Sequence, residues 1–150
     1  MTAQEMWDIF RMYDQRAGVW SAWSFGEDPD RLADLVLRGV KNATSSLLYW
    51  YERENEPLPL DGAYSVILDG EENAVCVIQT TKVYTVPFDQ VSEDHALREG
   101  EGDRTLEEWR YVHEKFFRAE LAEVGVDFSP DMLVVCEEFE RVWPLDELAQ

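Results

Sequence analysis

The chain has 150 residues and a mass of 17.5 kDa, the usual size of one domain, so we expect a single domain over residues 1–150. Thirteen Lys and Arg residues against 32 Asp and Glu residues give a formal net charge of −19, which repels phosphates and argues against binding along duplex DNA. The N-terminus lacks a signal-peptide pattern, and no run approaches the roughly twenty apolar residues that cross a bilayer. We therefore expect a cytoplasmic protein with no membrane partner.

The first forty residues predict a helix, a strand and a second helix. Thr2 followed by Glu5 is a capping-box pattern. Asp28 is expected to cap the second helix, and Gly39 is expected to end it in the left-handed backbone conformation. These signals place helices over residues 2–16 and 28–39, with an extended segment over residues 20–25.

The next segment, VKNATSS, is too polar for a core element and is predicted to be a loop. Ser45 or Ser46 is expected to cap a third helix. That helix ends before the two prolines of EPLPLDG, which forbid its continuation.

From residue 64 the apolar pattern changes to that of strands. The runs AYSVIL and AVCVIQTTKVYTV, separated by DGEEN, predict a hairpin, and burial on both faces favours a curled sheet. A short helix over residues 92–99 and a longer helix opened by Thr105 follow, and MLVVCEEF and RVW then form either the last strand or a bent strand pair. Two cysteines, Cys76 and Cys136, lie in these strand runs and are expected to be reduced core thiols, although paired strands would allow a disulfide. We expect an α+β fold.

The polar segment carries the best candidate for chemistry. Lys41 is one of only three lysines and stands three residues before Thr44. A buried lysine can take a proton from a hydroxyl, and the activated hydroxyl can attack a carbonyl. The alternative is a solvated lysine beside a capping threonine.

Acidic residues on the run EGEGDR offer a second candidate. Glu99, Glu101 and Asp103 could supply a general acid or base, or could simply be solvated. His95 and Glu99 are four residues apart, but no second pair has matching spacing and His113 stands alone on an aromatic helix. We expect no metal and no cofactor.

Aromatic side chains offer stacking surfaces for a nucleobase, with core packing as the alternative. Tryptophans and tyrosines cluster in two short stretches, at Trp20 and Trp23 and at Tyr49 and Trp50. We take Trp23 as the candidate that lines a ligand pocket.

Several stretches together resemble the ASCH domain family of the PUA-like superfamily, particularly its bacterial stand-alone acidic members. These are WSFGED, LADLVLRGVKNATSSLL, YERENEPLPLDGAYSVILDG, VCVIQTTKVYTVPFDQV, EGEGDRTLEEWRYVHEKFF and DMLVVCEEF. The resemblance implies a PUA-like curled β-barrel with flanking α-helices and a cleft for RNA or nucleotides.

The resemblance also implies roles for individual residues. One member type hydrolyses N4-acetylcytidine with a Lys, a Thr three residues later and a downstream Glu, which match Lys41, Thr44 and Glu99. We expect the ligand to be bound by Trp23, Ser45, Ser46, Glu101 and Arg104. Glu101 is also an alternative to Glu99 as the functional acid. The chain departs from the wider family at Thr44, where many members carry an acid, and at Ser46, where an arginine often stands.

Three functions follow as hypotheses. The first is an amidohydrolase of acylated cytidine-type nucleosides, in which Lys41 activates Thr44. The second is a non-catalytic module that binds a nucleotide or a short RNA. The third is a ribonuclease, against which the net charge of −19 counts.

Overall fold

A computed structural model describes residues 1–146 of the chain. Five strands form one sheet, and five α-helices flank it. The helices are α1 (Ala3–Tyr13), α2 (Pro29–Leu37), α3 (Leu48–Glu54), α4 (Glu93–Glu99) and α5 (Leu106–Ala122). The strands are β1 (Trp20–Ser24), β2 (Ala43–Leu47), β3 (Tyr64–Leu68), β4 (Ala74–Pro87) and β5 (Leu133–Trp143).

The sheet has the order β1-β3-β4-β5-β2, so β1 and β2 are its edge strands. β1 pairs with β3 in parallel, and the other pairs are antiparallel. The long strands β4 and β5 shift register at two places, which increases their local bend. The result is a mixed, curled half-barrel with flanking helices, which confirms the predicted α+β class.

Three apolar clusters fill the space between the sheet and its helices. α1 covers one end of the sheet with Trp7 and Phe10, and α2 covers another part with Leu32 and Val36. The largest cluster lies under α4 and α5 and includes Phe117. α1, α2 and α5 therefore each bury an apolar face against the sheet, as amphipathic helices do.

Three helix starts follow the predicted caps. Thr2 and Glu5 form a capping box at α1, and Asp28 accepts a hydrogen bond from the Arg31 backbone at α2. Thr105 accepts from the Glu108 backbone at α5. Local side-chain capping was readable from the sequence because its partners are only three residues apart.

The prediction of a polar loop at VKNATSS is wrong for residues 43–47. They form strand β2, which pairs along its length with residues 134–138 of β5. Neither Ser45 nor Ser46 caps α3, which begins after Leu47 without a side-chain cap. Pairing with a distant strand outweighs the weak strand propensity of small polar residues.

One other prediction differs from the structure in extent, since the first helix ends at Tyr13 rather than Arg16. Of the two alternatives for MLVVCEEF and RVW, the structure has the single strand, β5. Cys76 and Cys136 are both buried and free, as expected for core thiols. Among residues 1–146, none of the helices combines the length and apolar character of a membrane span.

Candidate functional site

Lys41 lies between the end of α2 and the start of β2 and is almost fully buried, at 1% exposure. The backbone beside it is fixed to α4, because the Asn42 amide donates to the Arg98 carbonyl at 2.7 Å. Its Nζ lies 3.3 Å from Glu99 Oε1 and 2.8 Å from Glu101 Oε2. The Phe25 ring centroid is 5.2 Å from Nζ. The structure therefore holds a buried ammonium between two carboxylates.

Glu99 is the last residue of α4 and is only 1% exposed. Both of its carboxylate oxygens are occupied by donors from four parts of the chain. Oε1 faces Lys41 Nζ at 3.3 Å and His113 Nε2 at 3.2 Å. Oε2 faces Ser45 Oγ at 2.5 Å, His95 Nε2 at 2.9 Å and Trp109 Nε1 at 2.5 Å. Glu99 is thus the centre of a buried polar network.

The network also sets the charge state of Glu99. Burial by itself raises the pKa of the carboxyl group, but the charges of His113 and Lys41 and the hydrogen bonds of both histidines outweigh burial. The pKa of Glu99 is therefore well below its ordinary value. Glu99 is therefore ionised in the free protein, and its donors hold the carboxylate in place.

Glu101 differs from Glu99 in both contacts and exposure. Its carboxylate touches Lys41, and its side chain is 19% exposed. It lies between Gly100 and Gly102, which both have positive φ angles. A carboxylate with one partner on such a turn can change position more readily than one with five donors.

Two small cavities meet at this network. One, of about 110 Å³, reaches Glu99, Glu101 and His113 from the side of α4 and α5. The other, of about 70 Å³, is lined by Lys41, Thr44, Ser45 and the same three residues. Apolar walls of the second cavity are Phe25, Leu32, Val112 and Phe116. Lys41, Thr44 and Glu99 therefore share one hollow.

Thr44 and Ser45 reach the smaller cavity from β2. The side chains of neighbouring strand residues point to opposite faces of the sheet. Because β2 is an edge strand, both Thr44 and Ser45 can reach a cavity beside its unpaired side. The Ser45 hydroxyl already donates to Glu99. Thr44 lines this cavity, and among residues 1–146 no hydrogen bond engages its hydroxyl.

Gly100 allows the close approach that brings Lys41 to Glu99. Its φ angle is +69°, and a Cβ at this position would lie 2.4 Å from the Val40 carbonyl oxygen. We expect Gly100→Ala to lower the free energy of unfolding by about 2–4 kcal/mol, because it adds a backbone clash to left-handed strain. Urea denaturation measures this loss, and Gly18→Ala is the control because nothing lies within 4 Å of its Cβ position. Equal stability of the two variants would contradict the packing argument.

Glu99, Glu101 and His113 have ligand atoms within 4.8 Å of one another, a grouping that can hold a metal ion. However, the Lys41 ammonium contacts both carboxylates. A divalent cation at this position would have to displace this ammonium. Lysine thus supplies the positive charge that a metal would otherwise bring.

Three predicted ligand residues lie elsewhere. Trp23 packs edge-on against Phe25, with ring centroids 4.9 Å apart, and lines neither cavity. The Ser46 hydroxyl pairs with the Tyr51 hydroxyl at 2.9 Å in a separate groove. The Arg104 guanidinium donates to the Leu97 carbonyl at the end of α4. Among the predicted ligand residues, Ser45 and Glu101 join the hollow.

The expectation that His113 stands alone is wrong, and the contacts of His113 and Trp109 with Glu99 were not predicted. His113 and Trp109 lie four residues apart on α5, and both contact Glu99. His95 contacts Glu99 from one turn earlier on α4. The spacing of His95 and Glu99 was visible in the sequence, whereas the approach of α5 depends on tertiary packing.

Two larger surface hollows lack comparable chemistry. One, of about 460 Å³, lies beside the end of α1 and is lined in part by Met12 and Tyr13. Another, of about 430 Å³, is lined by Trp50, Tyr51 and four glutamates. Neither brings a buried cation and a free hydroxyl together, so we place the candidate site at the smaller cavities.

A curled five-stranded half-barrel with a buried polar cleft beside its edge strand is the architecture of a PUA-like domain. The chain belongs to the ASCH domain family, whose pattern matches residues 21–143. This match confirms the resemblance seen in the sequence stretches.

Solved structures agree with the family assignment. The ASCH domain from Lactobacillus crispatus JV V101 is 38% identical, with a TM-score of 0.83 over 93% of this chain and 89% of that chain. Protein EF3133 from Enterococcus faecalis V583 is also 38% identical, with a TM-score of 0.82 over 93% of this chain and 86% of that chain. Hypothetical protein PH0355 shares the fold alone, with 16% identity and a TM-score of 0.54 over 83% of this chain and all of that chain. No curated protein matches the chain.

Proposed function

We propose that this ASCH domain binds a small nucleoside in the Lys41 cleft and hydrolyses an amide on it, with acylated cytidine as the substrate class. The observation that carries the proposal is the shared hollow of Lys41, Thr44 and the glutamates. A base, a free hydroxyl and a proton donor are the groups that acyl transfer requires.

The charges of the cleft favour an uncharged ligand. Lys41 is paired with Glu99 and Glu101, and His113 is paired with Glu99. Arg31, which lines the neighbouring cavity, is paired with Asp28 at 3.2 Å. A phosphate would meet two carboxylates without gaining an unpaired cation. A nucleoside suits this cleft better than an RNA backbone, which counts against the ribonuclease hypothesis.

The aromatic walls suit a base. Phe25 and Phe116 line the smaller cavity, and aromatic faces bind nucleobases without requiring charge. A volume of about 70 Å³ accommodates the reacting amide rather than a whole nucleoside. The remainder of the ligand would extend into the neighbouring cavity or displace the Glu101 turn.

The proton steps can be completed by residues of the chain. On substrate entry, Lys41 passes a proton to Glu101, its nearest carboxylate. Thr44 Oγ1 then attacks the amide carbonyl carbon, and the hydroxyl proton moves to Lys41 Nζ. Protonated Glu101 donates to the leaving amine as the C–N bond breaks. Water hydrolyses the resulting acyl-threonine ester, which releases the acid and restores the hydroxyl.

In this scheme Glu101 carries the proton and Glu99 orients the other groups. The resemblance to the member type that hydrolyses N4-acetylcytidine implied Glu99 as the acid. However, five donors surround the Glu99 carboxylate and its pKa is lowered, so it is a poor proton carrier. Glu101 has fewer partners and partial access to solvent.

Turnover of N4-acetylcytidine by the purified chain tests the proposal. We expect Thr44→Val to lower kcat by about 10³-fold or more, because the nucleophile is lost while the side-chain shape is kept. Thr85→Val is the control, since Thr85 is an exposed threonine on β4 and lies outside both cavities. Equal kcat values for Thr44→Val and wild type would eliminate Thr44 as the nucleophile.

The same samples distinguish the two other functions. A nucleoside that raises Tm without being consumed indicates a binding module, since a ligand stabilises the folded state by mass action. Cleavage of an oligoribonucleotide that disappears in Lys41→Met indicates a ribonuclease. If no acyl nucleoside is hydrolysed, the hydrolase proposal is wrong.

A further inference from the structure

Two contacts of the ring indicate the protons on His113. Its Nδ1 faces the Trp109 backbone carbonyl at 2.9 Å, and its Nε2 lies 3.2 Å from Glu99 Oε1. The carbonyl oxygen only accepts hydrogen bonds, so Nδ1 donates, and the ionised carboxylate beside Nε2 favours a proton on that nitrogen as well. His113 is therefore an imidazolium while Glu99 is ionised.

The surroundings of His113 support this charge. Burial lowers the pKa of its ring, but the charge and hydrogen bond of Glu99 and the charge of Glu101 outweigh burial and raise the pKa overall. The Trp109 ring stacks on the imidazole at a centroid distance of 4.2 Å, an arrangement that favours a cation. The positive groups that line the adjoining cavities are Lys41 and Arg31.

Two cations and two carboxylates thus occupy the cleft, with Lys41 and His113 opposite Glu99 and Glu101. If Lys41 passes its proton to Glu101, both of those groups become neutral. The remaining ion pair is Glu99 with His113. If His113 were neutral, the same transfer would leave the buried Glu99 carboxylate with only the His95 ring and the neutral donors Ser45 and Trp109 as partners, which is unfavourable.

We propose that His113 is a positioning residue whose imidazolium keeps Glu99 compensated while Lys41 releases its proton. This role rests on the proposed function, because it matters only if Lys41 acts as a base. The charge state of His113 is a separate property and can be measured without a substrate.

The first measurement is NMR of the histidine ring nitrogens in the full chain. We expect both nitrogens of His113 to carry protons at pH 7 in wild type. In Glu99→Gln the ring should titrate at lower pH than in wild type, since the compensating anion is gone. A neutral His113 ring in wild type at pH 7 would overturn the proposal, whatever the enzyme assays show.

The second measurement is the pH profile of N4-acetylcytidine turnover. We expect His113→Gln to lower kcat about 100-fold with little change in KM, since proton transfer is affected more than binding. The effect on kcat should exceed that of Arg110→Gln, a change on the same helix at a residue outside both cavities. Equal kcat values for wild type and His113→Gln would overturn the role.

The readouts separate the two proposals. Protons on both His113 nitrogens, without turnover of acyl nucleosides, would support the charge state of His113 and reject the hydrolase. Turnover that requires Thr44 but is insensitive to His113 would support the hydrolase and reject the positioning role.

Discussion

Lys41→Met is expected to remove turnover of N4-acetylcytidine, lowering kcat by about 10³-fold, because the base that accepts the Thr44 proton is gone. The same change should lower the free energy of unfolding by about 3–5 kcal/mol, since Lys41 compensates two carboxylates in a buried site. Steady-state kinetics and urea denaturation measure the two effects. Kinetics should be measured where denaturation shows the variant to be folded.

Two further variants separate catalysis from stability. Lys41→Arg keeps a positive charge but cannot release its proton, so it should restore part of the stability and none of the activity. Lys82→Met removes an exposed lysine of β4 and should change neither property. Wild-type kcat in folded Lys41→Met would contradict a base at this position, as would full activity in Lys41→Arg.

Glu99→Gln should cause the largest loss of stability among the glutamate variants, about 3–5 kcal/mol at pH 7. The substitution retains the side-chain shape but removes the negative charge that compensates Lys41 and His113. Turnover should also fall, because Lys41 loses the partner that orients it. Urea denaturation over a series of pH values measures the change in stability.

The pH dependence of this loss follows from the lowered pKa of Glu99. Its ionised form contributes stability above the ordinary carboxyl pKa of about 4.3, and that contribution is lost as the pH falls through the lower pKa of the folded state. The stability difference between wild type and Glu99→Gln should therefore be greatest at neutral pH and should narrow in acid. A difference that widens in acid would contradict this assignment.

Glu101→Gln is the matched comparison. Its side chain is 19% exposed, against 2% for Glu99, and its carboxylate pairs with Lys41. We expect a much smaller loss of stability, combined with a loss of turnover if Glu101 carries the proton. Equal destabilisation by the two substitutions would mean that the buried network does not depend on Glu99 in particular.

His113 should produce the opposite pH dependence. Its pKa is raised in the folded state, so its contribution to stability is present below the ordinary histidine pKa of about 6.5 and is lost as the pH rises through the folded value. Glu99 and His113 together should therefore make the fold less stable at both ends of the pH range.

The sequence alone predicted the local features of this fold, namely its helix caps and most of its strands. Capping residues such as Thr2 and Thr105 are read from neighbours three residues away, and strand runs such as AVCVI are read from their composition. The family match over residues 21–143 was foreseeable because many short stretches agreed together. The pairing of Lys41 with Thr44 as candidates needed only their spacing.

Tertiary structure decided how these residues meet. β2 looked like a loop because its small polar residues gain strand structure only by pairing with β5, some ninety residues later. His113 looked isolated because its partner belongs to another helix. Glu99 and Glu101 were both candidates for the functional acid, yet one is enclosed by donors and the other reaches solvent. Burial and charge compensation arise between distant segments, so local patterns determine the elements, while packing determines the chemistry of the site.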